Sequence, residues 1–379
     1  MTMRTERVAV IGAGLSGLYA AFLLQRRGIH DYLVFEARKT LGGRILSLPA
    51  TAHGNADRVD LGPTWFWPDM QPQLGNLIHD LGITSFEQHQ AGDMMIERSH
   101  GEPPVRLRGY ATAPVSMRLA GGMATLTDTL AAALNAKSIL AGEAVRSLRC
   151  TGSKVEVRSE NLAGTVTTTW VDHVLLALPP RLIEANLSFE PALPRALAQQ
   201  WRSTNTWMAP HAKYVATYPF AFWRQSGLSG EARSACGPLG EIHDACMERG
   251  GAALFGFFGL PASVRRNATE DVLRRHCRAQ LARLFGPDAA TPKAEFIKDW
   301  ASDPHTATTL DIEGAAQHAL PAANAPLGSW NGRLTGIASE WSQQFPGYIA
   351  GAIDAAYRGV EALTLHDRST SSHGRKWPI

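Results

Sequence analysis

The feature that most constrains the fold is a G-x-G-x-x-G segment at residues 12–17. It follows a short apolar run at residues 7–11 and precedes a stretch of helical character at residues 15–27. A second apolar run, residues 32–35, ends at Glu36. Strand, glycine turn, helix and strand follow one another within about thirty residues, as in a βαβ unit that binds a dinucleotide. The sequence therefore predicts a dinucleotide-binding fold in this region.

The three glycines have separate tasks in such a unit. Gly12 makes the tight turn, Gly14 lets the backbone approach a pyrophosphate, and Gly17 lets the helix pack against the strand. The helix begins at Leu15 and Ser16, so its N-terminus faces the anionic phosphates.

Glu36 indicates which nucleotide is bound. It stands nineteen positions after Gly17, at the predicted end of a strand. A carboxylate there accepts hydrogen bonds from the ribose hydroxyls of an adenosine and repels a 2′-phosphate. A tight turn without a ligand would explain the glycines but not Glu36. We therefore predict an adenine dinucleotide, and at this point both NAD and FAD remain open.

Composition excludes several other classes of protein. The chain has 379 residues, 45% of them hydrophobic and 19% charged, which is typical of a globular protein with two sizeable domains. The net charge of +3 is small and the arginines are scattered, so we expect no nucleic-acid partner. The four cysteines form no C-x-x-C pair, so we expect neither a metal site nor a disulfide framework.

The sequence also bears on location. The first strand begins by residue 7, which leaves no room for a secretory signal before it. The uncharged run at residues 8–24 contains the glycine turn and is short for a membrane span. Residues 366–379 form a polar tail. We therefore expect a cytoplasmic protein that makes no contact with a membrane.

Further elements are predicted from hydrophobic periodicity. Helices are expected at residues 124–134 and 347–363, and a basic helix is expected to begin at Asn267 and end at Gly286. The aromatic and proline-rich residues 201–223 suggest a mixed sheet that lines a pocket. Strands are expected at residues 144–148, 155–158, 165–170 and 174–178.

The residues that follow Glu36 decide between the two dinucleotides. They run E-A-R-K-T-L-G-G-R over residues 36–44. This segment resembles the E-A-R-x-x-x-G-G-R motif of the flavin-containing amine oxidase family, in which the Gly-Gly backbone and the arginine lie beside the FAD pyrophosphate and flavin. NAD dehydrogenases have no reason to keep it. The resemblance implies FAD as cofactor and a short, soluble, monoamine oxidase-like member.

Further blocks of that family follow in the same order. Residues 60–65, D-L-G-P-T-W, resemble its D-x-G segment near the flavin ring, and residues 121–122 resemble its returning glycine pair. Lys213 precedes an F-W-R segment, as does the family lysine that holds a water at flavin N5. Residues 339–348 resemble the G-T-E…P-G-Y block.

The resemblance covers nearly the whole chain and implies an α/β fold. It consists of an FAD-binding Rossmann-like domain, a three-layer βαβ arrangement, interleaved with a smaller substrate domain of mixed sheet and helices. The FAD-binding domain is expected at residues 1–78, 119–203 and 303–365, the substrate domain at residues 79–118 and 204–302, and the polar tail at residues 366–379.

The resemblance also implies the cofactor-binding residues. They are Gly12, Gly14, Leu15, Ser16, Gly17, Glu36, Ala37, Arg38, Gly42, Gly43, Arg44, Gly62, Pro63, Thr64, Trp65, Val145, Glu340, Gly347, Tyr348 and Ile349. Val145 falls where the family places a valine whose backbone recognises adenine. The helix that follows Tyr348 would aim N–H groups at the flavin pyrimidine, and its positive end would stabilise the anionic N1 of the reduced flavin.

Three residues are implied in catalysis. Lys213 would offer a fixed positive charge near N5 and hasten reoxidation by oxygen. An exposed lysine on an edge strand is the competing interpretation of that residue. Tyr348 and Trp300 would shape the site. Trp65, Phe222, Leu310 and Tyr348 are candidates for the substrate pocket, although aromatic residues often fill cores instead.

Departures from the family pattern carry information. Thr309 stands nine residues after Trp300, where some members place the cysteine that binds FAD covalently, so the flavin should be non-covalent. Leu310 replaces one tyrosine of the aromatic pair that flanks the substrate nitrogen. Thr64 and Trp65 occupy positions where amino-acid oxidases carry an arginine for the substrate carboxylate. An amine without an α-carboxylate is therefore expected.

The segment between Trp65 and Leu119 is shorter than in typical members, where a helical insertion roofs the cavity. The site is therefore expected to be unusually open, or covered by a mobile lid or by a second subunit in a homodimer.

The implied reaction transfers a hydride from the α-carbon of a neutral amine to flavin N5, giving an imine, and oxygen reoxidises the flavin with release of hydrogen peroxide. The alternatives are a dehydrogenase, desaturase or amino-acid oxidase of the same fold that uses another substrate or acceptor. A non-catalytic flavoprotein is the alternative from a different class.

Overall fold

A computed structural model describes residues 3–50, 57–248, 251–313, 320–325 and 328–372. The strands in these ranges are β1 Met3–Thr5, β2 Val8–Ile11, β3 Tyr32–Glu36, β4 Ser47–Pro49, β5 Arg58–Asp60, β6 Ser85–Glu87, β7 Asp93–Glu97, β8 Val105–Leu107, β9 Met117–Leu119, β10 Ile139–Ala141, β11 Glu143–Thr151, β12 Lys154–Asn161, β13 Val166–Val171, β14 His173–Leu176, β15 Ser188–Glu190, β16 Ala212–Tyr218, β17 Leu228–Ser234, β18 Leu239–Asp244, β19 Ala252–Phe258, β20 Ala294–Asp299 and β21 Leu334–Gly336.

The helices in the same ranges are α1 Leu15–Arg26, α2 Pro72–Asp80, α3 Ala124–Ala132, α4 Pro180–Asn186, α5 Arg195–Ser203, α6 Phe222–Gln225, α7 Ala262–Arg265, α8 Glu270–Phe285, α9 Thr309–Glu313 and α10 Ile349–Ser372. Short 3₁₀ turns lie at Ala136–Ser138, Pro287–Ala290, Trp300–Ser302 and Ser339–Trp341. None of these helices is both long enough and apolar enough to cross a membrane.

The chain forms two compact units. Unit 1 takes its described residues from Met1–Gly43, Thr127–Trp207 and Ala315–Ile379, and unit 2 from Arg44–Leu126 and Met208–Gly314. The predicted FAD-binding domain included residues 44–78, which lie in unit 2. They lie there because Val59 and Leu61 pack in one core with Val215 and Phe255.

Unit 1 contains the predicted dinucleotide-binding unit. Its parallel five-stranded sheet has the order β10-β3-β2-β14-β21. All residues of β2, β3 and β14 are buried, as expected for strands covered on both faces. Because α1 connects β2 to β3, the predicted βαβ arrangement and the α/β fold class are confirmed.

A second sheet of unit 1 has the order β1-β13-β12-β11-β15. The core of this unit includes Trp201, Trp330 and Trp341, and the rings of Trp201 and Trp341 meet edge to face at 5.7 Å. The side chain of Trp201 donates a hydrogen bond to the Ala322 carbonyl at 2.8 Å. Buried indole rings of this kind fill much volume while their N–H groups remain satisfied.

The last helix, α10, is longer than the sequence predicts. Periodicity placed the helix at residues 347–363, but it begins at Ile349 and continues to Ser372. Its Ile353, Ala356 and Val360 are buried, in agreement with the predicted apolar face. Part of the expected polar tail is thus helical, and residues 373–379 lie outside the described ranges.

Unit 2 is built on a seven-stranded sheet with the order β20-β16-β19-β18-β17-β7-β8. Neighbouring strands are antiparallel except β17 and β7, which are parallel. All seven residues of β16 are buried because it pairs with β19 on one side and β20 on the other. This central position places Lys213 in the interior of the unit.

Two sequence predictions about these regions need correction. Residues 201–223 contribute only strand β16 to the mixed seven-stranded sheet, because the rest of the segment contains the end of α5 and the start of α6, and Trp201 and Trp223 are fully buried. The basic helix does not begin at Asn267. It begins at Glu270, because the Thr269 hydroxyl accepts the N-capping bond from the Val272 N–H.

Candidate functional site

The glycine turn of unit 1 has the close contacts that its spacing predicts. Gly12 has a φ of +104°, a conformation that favours glycine. A Cβ atom on Gly17 would lie 1.9 Å from the Gly12 carbonyl oxygen, so no side chain fits where α1 passes the turn. A Cβ atom on Gly14 would meet Gly43 Cα at 3.8 Å, an ordinary contact.

The second glycine pair lies against the first turn. Gly42 forms a parallel bridge with Gly14, and its N–H donates to the Ala13 carbonyl at 2.9 Å. Gly43 has a φ of +60°, and a Cβ atom there would lie 3.1 Å from Gly14 Cα. Bare backbone and the N-terminus of α1 therefore meet at one place, which fits the diphosphate of a dinucleotide.

Glu36 connects these two segments. Its side chain is buried, and it accepts hydrogen bonds from the Ala13 N–H and the Arg38 N–H, both at 2.9 Å. Each carboxylate oxygen has a further lone pair that can accept from a ribose hydroxyl. The structure thus gives Glu36 a second task, holding the glycine turn, that the motif did not reveal. Ala37 follows directly after β3.

The tip of α10 is built around Gly347. Gly347 has a φ of +84°, and its N–H donates to the Ser339 carbonyl at 3.1 Å. A Cβ atom on Gly347 would lie 2.5 Å from the Cβ of Trp207. The ring of Trp207 stacks on that of Tyr348, with centroids 6.0 Å apart and planes 27° apart. Tyr348 is thus supported from one side, although 43% of it is exposed.

Two other predicted residues of unit 1 are buried near polar groups or irregular backbone. The Glu340 carboxylate accepts a hydrogen bond from the Ser339 hydroxyl at 3.1 Å, and both side chains are buried. Val145 is buried where the register of β11 against β12 shifts. Ile349 is the first residue of α10, so its N–H has no acceptor within the helix.

A buried polar network holds the loop before α10. The Ser342 hydroxyl donates to Asp354 at 2.6 Å and accepts from the Phe345 N–H at 3.0 Å. Arg358 donates to the same carboxylate at 3.0 Å and to the Trp341 carbonyl at 2.9 Å. Because Phe345 directly precedes the Pro-Gly-Tyr segment, this network fixes the chain that leads into the tip of the helix.

Replacing Ser342 with alanine is expected to lower the free energy of unfolding by about 2 kcal/mol, because the buried Asp354 carboxylate and the part-buried Phe345 N–H each lose a partner. Denaturant unfolding of the protein checks this. Ser203→Ala is the control, because the Ser203 hydroxyl is exposed and bonds within its own helix to the Gln200 carbonyl. A loss below about 0.5 kcal/mol, the level of an ordinary surface substitution, would contradict the assignment.

In unit 2 the structure brings Lys213 together with the predicted segment at residues 60–65. The Lys213 Nζ donates to the Gly62 carbonyl at 3.2 Å and to the Thr64 hydroxyl at 2.5 Å. It also lies 4.0 Å from the ring centroid of Phe255 and 5.6 Å from that of Phe257. Lys213 is 2% exposed, so the interpretation as a surface lysine is excluded.

The environment of Lys213 changes its titration. Burial lowers the pKa of its ammonium from 10.5 to about 7; the negative charge of Asp60 acts in the opposite direction, and the positive charge of Arg118 lowers it further. Arg118 is itself buried, and its guanidinium donates to the Cys246 carbonyl at 2.8 Å. Near neutral pH both charge states of Lys213 are therefore populated.

This shifted pKa predicts how stability depends on pH. In the unfolded chain Lys213 titrates near 10.5 and in the folded protein near 7, so between these values the unfolded state binds more protons. The free energy of unfolding should then rise with pH, by roughly 5 kcal/mol in total. This prediction is checked by measuring the free energy of unfolding of the unaltered protein and of Lys213→Met between pH 6 and 10. Equal pH dependence of both proteins would contradict it.

Two tryptophans lie in the same unit as Lys213. Trp300 donates from its ring N–H to the Leu61 carbonyl at 3.1 Å, and the Lys298 ammonium lies 4.6 Å from the centroid of its ring. Trp65 donates to the Gln88 side chain at 2.8 Å. The Trp65 ring also packs edge to face on His243, with ring centroids 4.8 Å apart, and lies against Phe255, with ring centroids 5.3 Å apart.

The other predicted pocket residues are not in this cluster. Phe222 packs in another core of unit 2, against Tyr218 at 5.2 Å and Trp223 at 4.9 Å, so it is a core residue. Leu310 is on α9 and is 44% exposed. Pro63 and Arg44 are half-buried.

Sequence reasoning missed four residues that contact the predicted ones. Phe255, Gln88, His243 and Trp207 are outside every motif used above. Phe255 belongs to a fully apolar run on β19, a pattern typical of any central strand, and no local signal pairs it with Lys213. In the described ranges no group of three or more His, Cys, Asp or Glu side chains is arranged to hold a metal ion.

Two family models match the chain. The model described as flavin containing amine oxidoreductase matches residues 86–364, and the model described as NAD(P)-binding Rossmann-like domain matches residues 10–81. A putrescine oxidase from Kocuria rosea is 29% identical over 276 residues, which cover 66% of this chain and 55% of that protein. The chain thus spans about half the length of that relative.

A Mycobacterium tuberculosis protein, named as a flavin-containing monoamine oxidase, is 26% identical over 471 residues, covering 94% of this chain and 96% of that protein. Among solved structures, putrescine oxidase bound to putrescine is 21% identical and cyclohexylamine oxidase from Brevibacterium oxydans IH-35A is 20% identical. Both have a TM-score of 0.79 and cover 96% of this chain, with 100% and 99% of their own chains matched. At these identities the likeness shows the fold.

Proposed function

The chain belongs to the flavin-containing amine oxidoreductases, and from this premise we propose that it oxidises an amine without an α-carboxylate to the corresponding imine. The family resemblance of the sequence is confirmed, and the protein is an FAD-dependent amine oxidoreductase. The observation that best supports this substrate class is that Thr64 and Trp65 stand where amino-acid oxidases carry an arginine. The buried Lys213, which is bonded to Gly62 and Thr64, supports reoxidation by oxygen.

Unit 1 supplies the residues proposed to hold FAD. Backbone N–H groups of the turn at Gly14 and Leu15, with the bare backbone of Gly43, would hold the diphosphate. Glu36 would hold the adenosine ribose. The first N–H groups of α10 and the positive end of that helix would stabilise negative charge on the reduced ring. Bound there, FAD would supply a two-electron acceptor for the hydride of the substrate carbon, with oxygen and two protons as the final acceptor to give hydrogen peroxide.

The chain's side chains favour a neutral, uncharged amine. The rings of Tyr348 and Trp207 offer an aromatic surface, and apolar surroundings lower the pKa of a bound ammonium. Thr64 and Trp65 stand where a carboxylate-binding arginine would be in amino-acid oxidases. Two relatives are named for amines without a carboxylate, putrescine and cyclohexylamine, in keeping with this substrate class.

Lys213 is proposed to act when the flavin is reoxidised rather than when the amine is oxidised. Removing a hydride together with its electron pair needs no side-chain base, so amine oxidation does not require Lys213. A fixed positive charge in a dry site instead favours a step in which oxygen gains negative charge. Non-covalent attachment of the flavin and the cytoplasmic location stay predictions.

The experiment is anaerobic mixing of the purified yellow protein with a panel of amines. Mono-, di- and polyamines are compared with amino acids, and bleaching of the flavin absorbance is recorded. We expect bleaching with at least one amine and none with amino acids, followed by recovery of the colour and release of hydrogen peroxide when air is admitted. Bleaching by amino acids alone would overturn the substrate class, and bleaching that air does not reverse would overturn the oxidase assignment.

A further inference from the structure

Thr64 contacts the amine of Lys213, and this contact goes beyond its predicted place in the flavin-binding segment. Its hydroxyl is buried and bonds the Nζ of Lys213, and the Gly62 carbonyl is the second partner at 3.2 Å. The rings of Phe255 and Phe257 also lie beside the amine, with centroids 4.0 and 5.6 Å from Nζ. An aromatic face can stabilise a cation but offers no lone pair to a neutral amine.

The two hydrogen-bonding partners differ in what they can do. The Gly62 carbonyl can accept from Lys213 but cannot donate to it. A hydroxyl can do both: it accepts from the ammonium, and after a proton is lost it can rotate and donate to the amine lone pair. Thr64 can therefore keep this buried nitrogen satisfied in both of its charge states.

The charge state matters because the other charged groups around Lys213 do not fix it. Asp60 on β5 favours the ammonium and Arg118 on β9 opposes it. Lys298 is the cross-strand neighbour of Lys213 on β20, but its ammonium is paired with Asp303 at 2.7 Å. A hydrogen bond to the charged form is stronger than one to the neutral form, so the Thr64 hydroxyl favours the ammonium overall.

We propose that Thr64 is a positioning residue for Lys213: its hydroxyl holds the amine in place in both charge states and favours the ammonium. The proposal rests on the role in reoxidation assigned above. An ammonium has three N–H donors, and within the described ranges two are used by Gly62 and Thr64. The third forms no hydrogen bond within those ranges and lies near the ring of Phe255 or is free to meet a ligand.

The experiment compares Thr64→Val, which keeps the shape and removes the hydroxyl, with Thr64→Ser, which keeps the hydroxyl. The rate of reoxidation by air is measured from pH 5.5 to 9. The reoxidation rate should fall as the pH rises, and the midpoint of this fall should lie about one pH unit lower in Thr64→Val than in the unaltered protein. Above the original midpoint the rate of Thr64→Val should therefore be up to tenfold lower. Thr64→Ser should stay within about twofold of the unaltered protein.

A second readout does not depend on catalysis. The midpoint of thermal unfolding is measured at pH 6 and pH 9 for the holoprotein, Thr64→Val, Lys213→Met and the double variant. Thr64→Val should lower the midpoint temperature of unfolding by more at pH 6, where Lys213 is charged, than at pH 9. In the Lys213→Met background the loss should be the same at both pH values. If Thr64→Val does not fold, Thr64→Ala removes the same hydroxyl.

The outcomes separate this inference from the proposed function. If Lys213→Met reoxidises at the normal rate, the role of Lys213 in reoxidation fails, while the unfolding data still test the contact with Thr64. If Lys213→Met is slow but Thr64→Val shifts neither the pH profile nor the pH dependence of unfolding, the inference about Thr64 is overturned and the proposed function stands.

Discussion

Lys213→Met is expected to slow reoxidation of the reduced protein by oxygen by about 10²- to 10³-fold, the usual effect of removing a preorganised charge from a water-excluded site. Methionine has a similar length and is apolar, so it should fit between the rings of Phe255 and Phe257 without leaving a cavity. Protein reduced with dithionite is mixed with aerated buffer in a stopped-flow instrument, and the return of flavin absorbance is followed.

Lys154→Met is the control for this experiment, because that lysine forms a surface ion pair with Asp172 at 2.8 Å. Its reoxidation rate should equal that of the unaltered protein. Anaerobic bleaching of Lys213→Met by a substrate amine should change by less than about threefold, since hydride removal needs no charge at this position. A Lys213→Met protein that recovers its colour at the normal rate would exclude the proposed role, and slow recovery of the unaltered protein as well would indicate a non-catalytic flavoprotein.

Gly17→Ala is expected to yield a protein that binds FAD at least a hundredfold more weakly, or purifies without colour. The added Cβ would lie 1.9 Å from the Gly12 carbonyl oxygen, so α1 must move away from the turn. Displacement of this kind costs about 3 kcal/mol in a packed site, which corresponds to roughly two orders of magnitude in affinity. Titration of apoprotein with FAD, followed by flavin fluorescence, measures the change.

Gly101→Ala is the matched control for this substitution. A Cβ atom on Gly101 would meet no atom within 4 Å, and its backbone is not in the left-handed region. Its affinity for FAD should be unchanged. Normal FAD affinity in Gly17→Ala would mean that the glycine turn does not hold the cofactor, whatever its sequence pattern.

The parts of the fold that the sequence predicts well are those set by local rules. The βαβ unit around Gly14 follows from a glycine spacing and two apolar runs, and its strands are buried as those runs imply. The predicted start of the basic helix was wrong because Asn267 and Thr269 are both residue types that favour the N-cap position. Only the three-dimensional structure shows that the Asn267 side chain instead donates to the Ser263 carbonyl at 3.1 Å.

The parts that the sequence does not predict depend on contacts between distant segments. Lys213 could be identified by a motif, but its aromatic neighbours lie on β19, more than forty positions away, and carry no signature of their own. Leu310 suggested that half of an aromatic pair was missing near Tyr348. The structure shows that Trp207 supports that ring, in a segment whose composition had been read as sheet.

Lys213, enclosed by aromatic rings and backbone, has opposite pH-dependent effects on the stability of the protein and on its reaction with oxygen. The contribution of this residue to the free energy of unfolding rises as the pH passes above about 7, where the amine loses its proton, whereas the charge that oxygen needs is lost over the same range. Raising the pH should therefore increase the stability that depends on Lys213 and slow the reaction with air. Storage and assay would call for different buffers, and a single pH optimum would describe neither property.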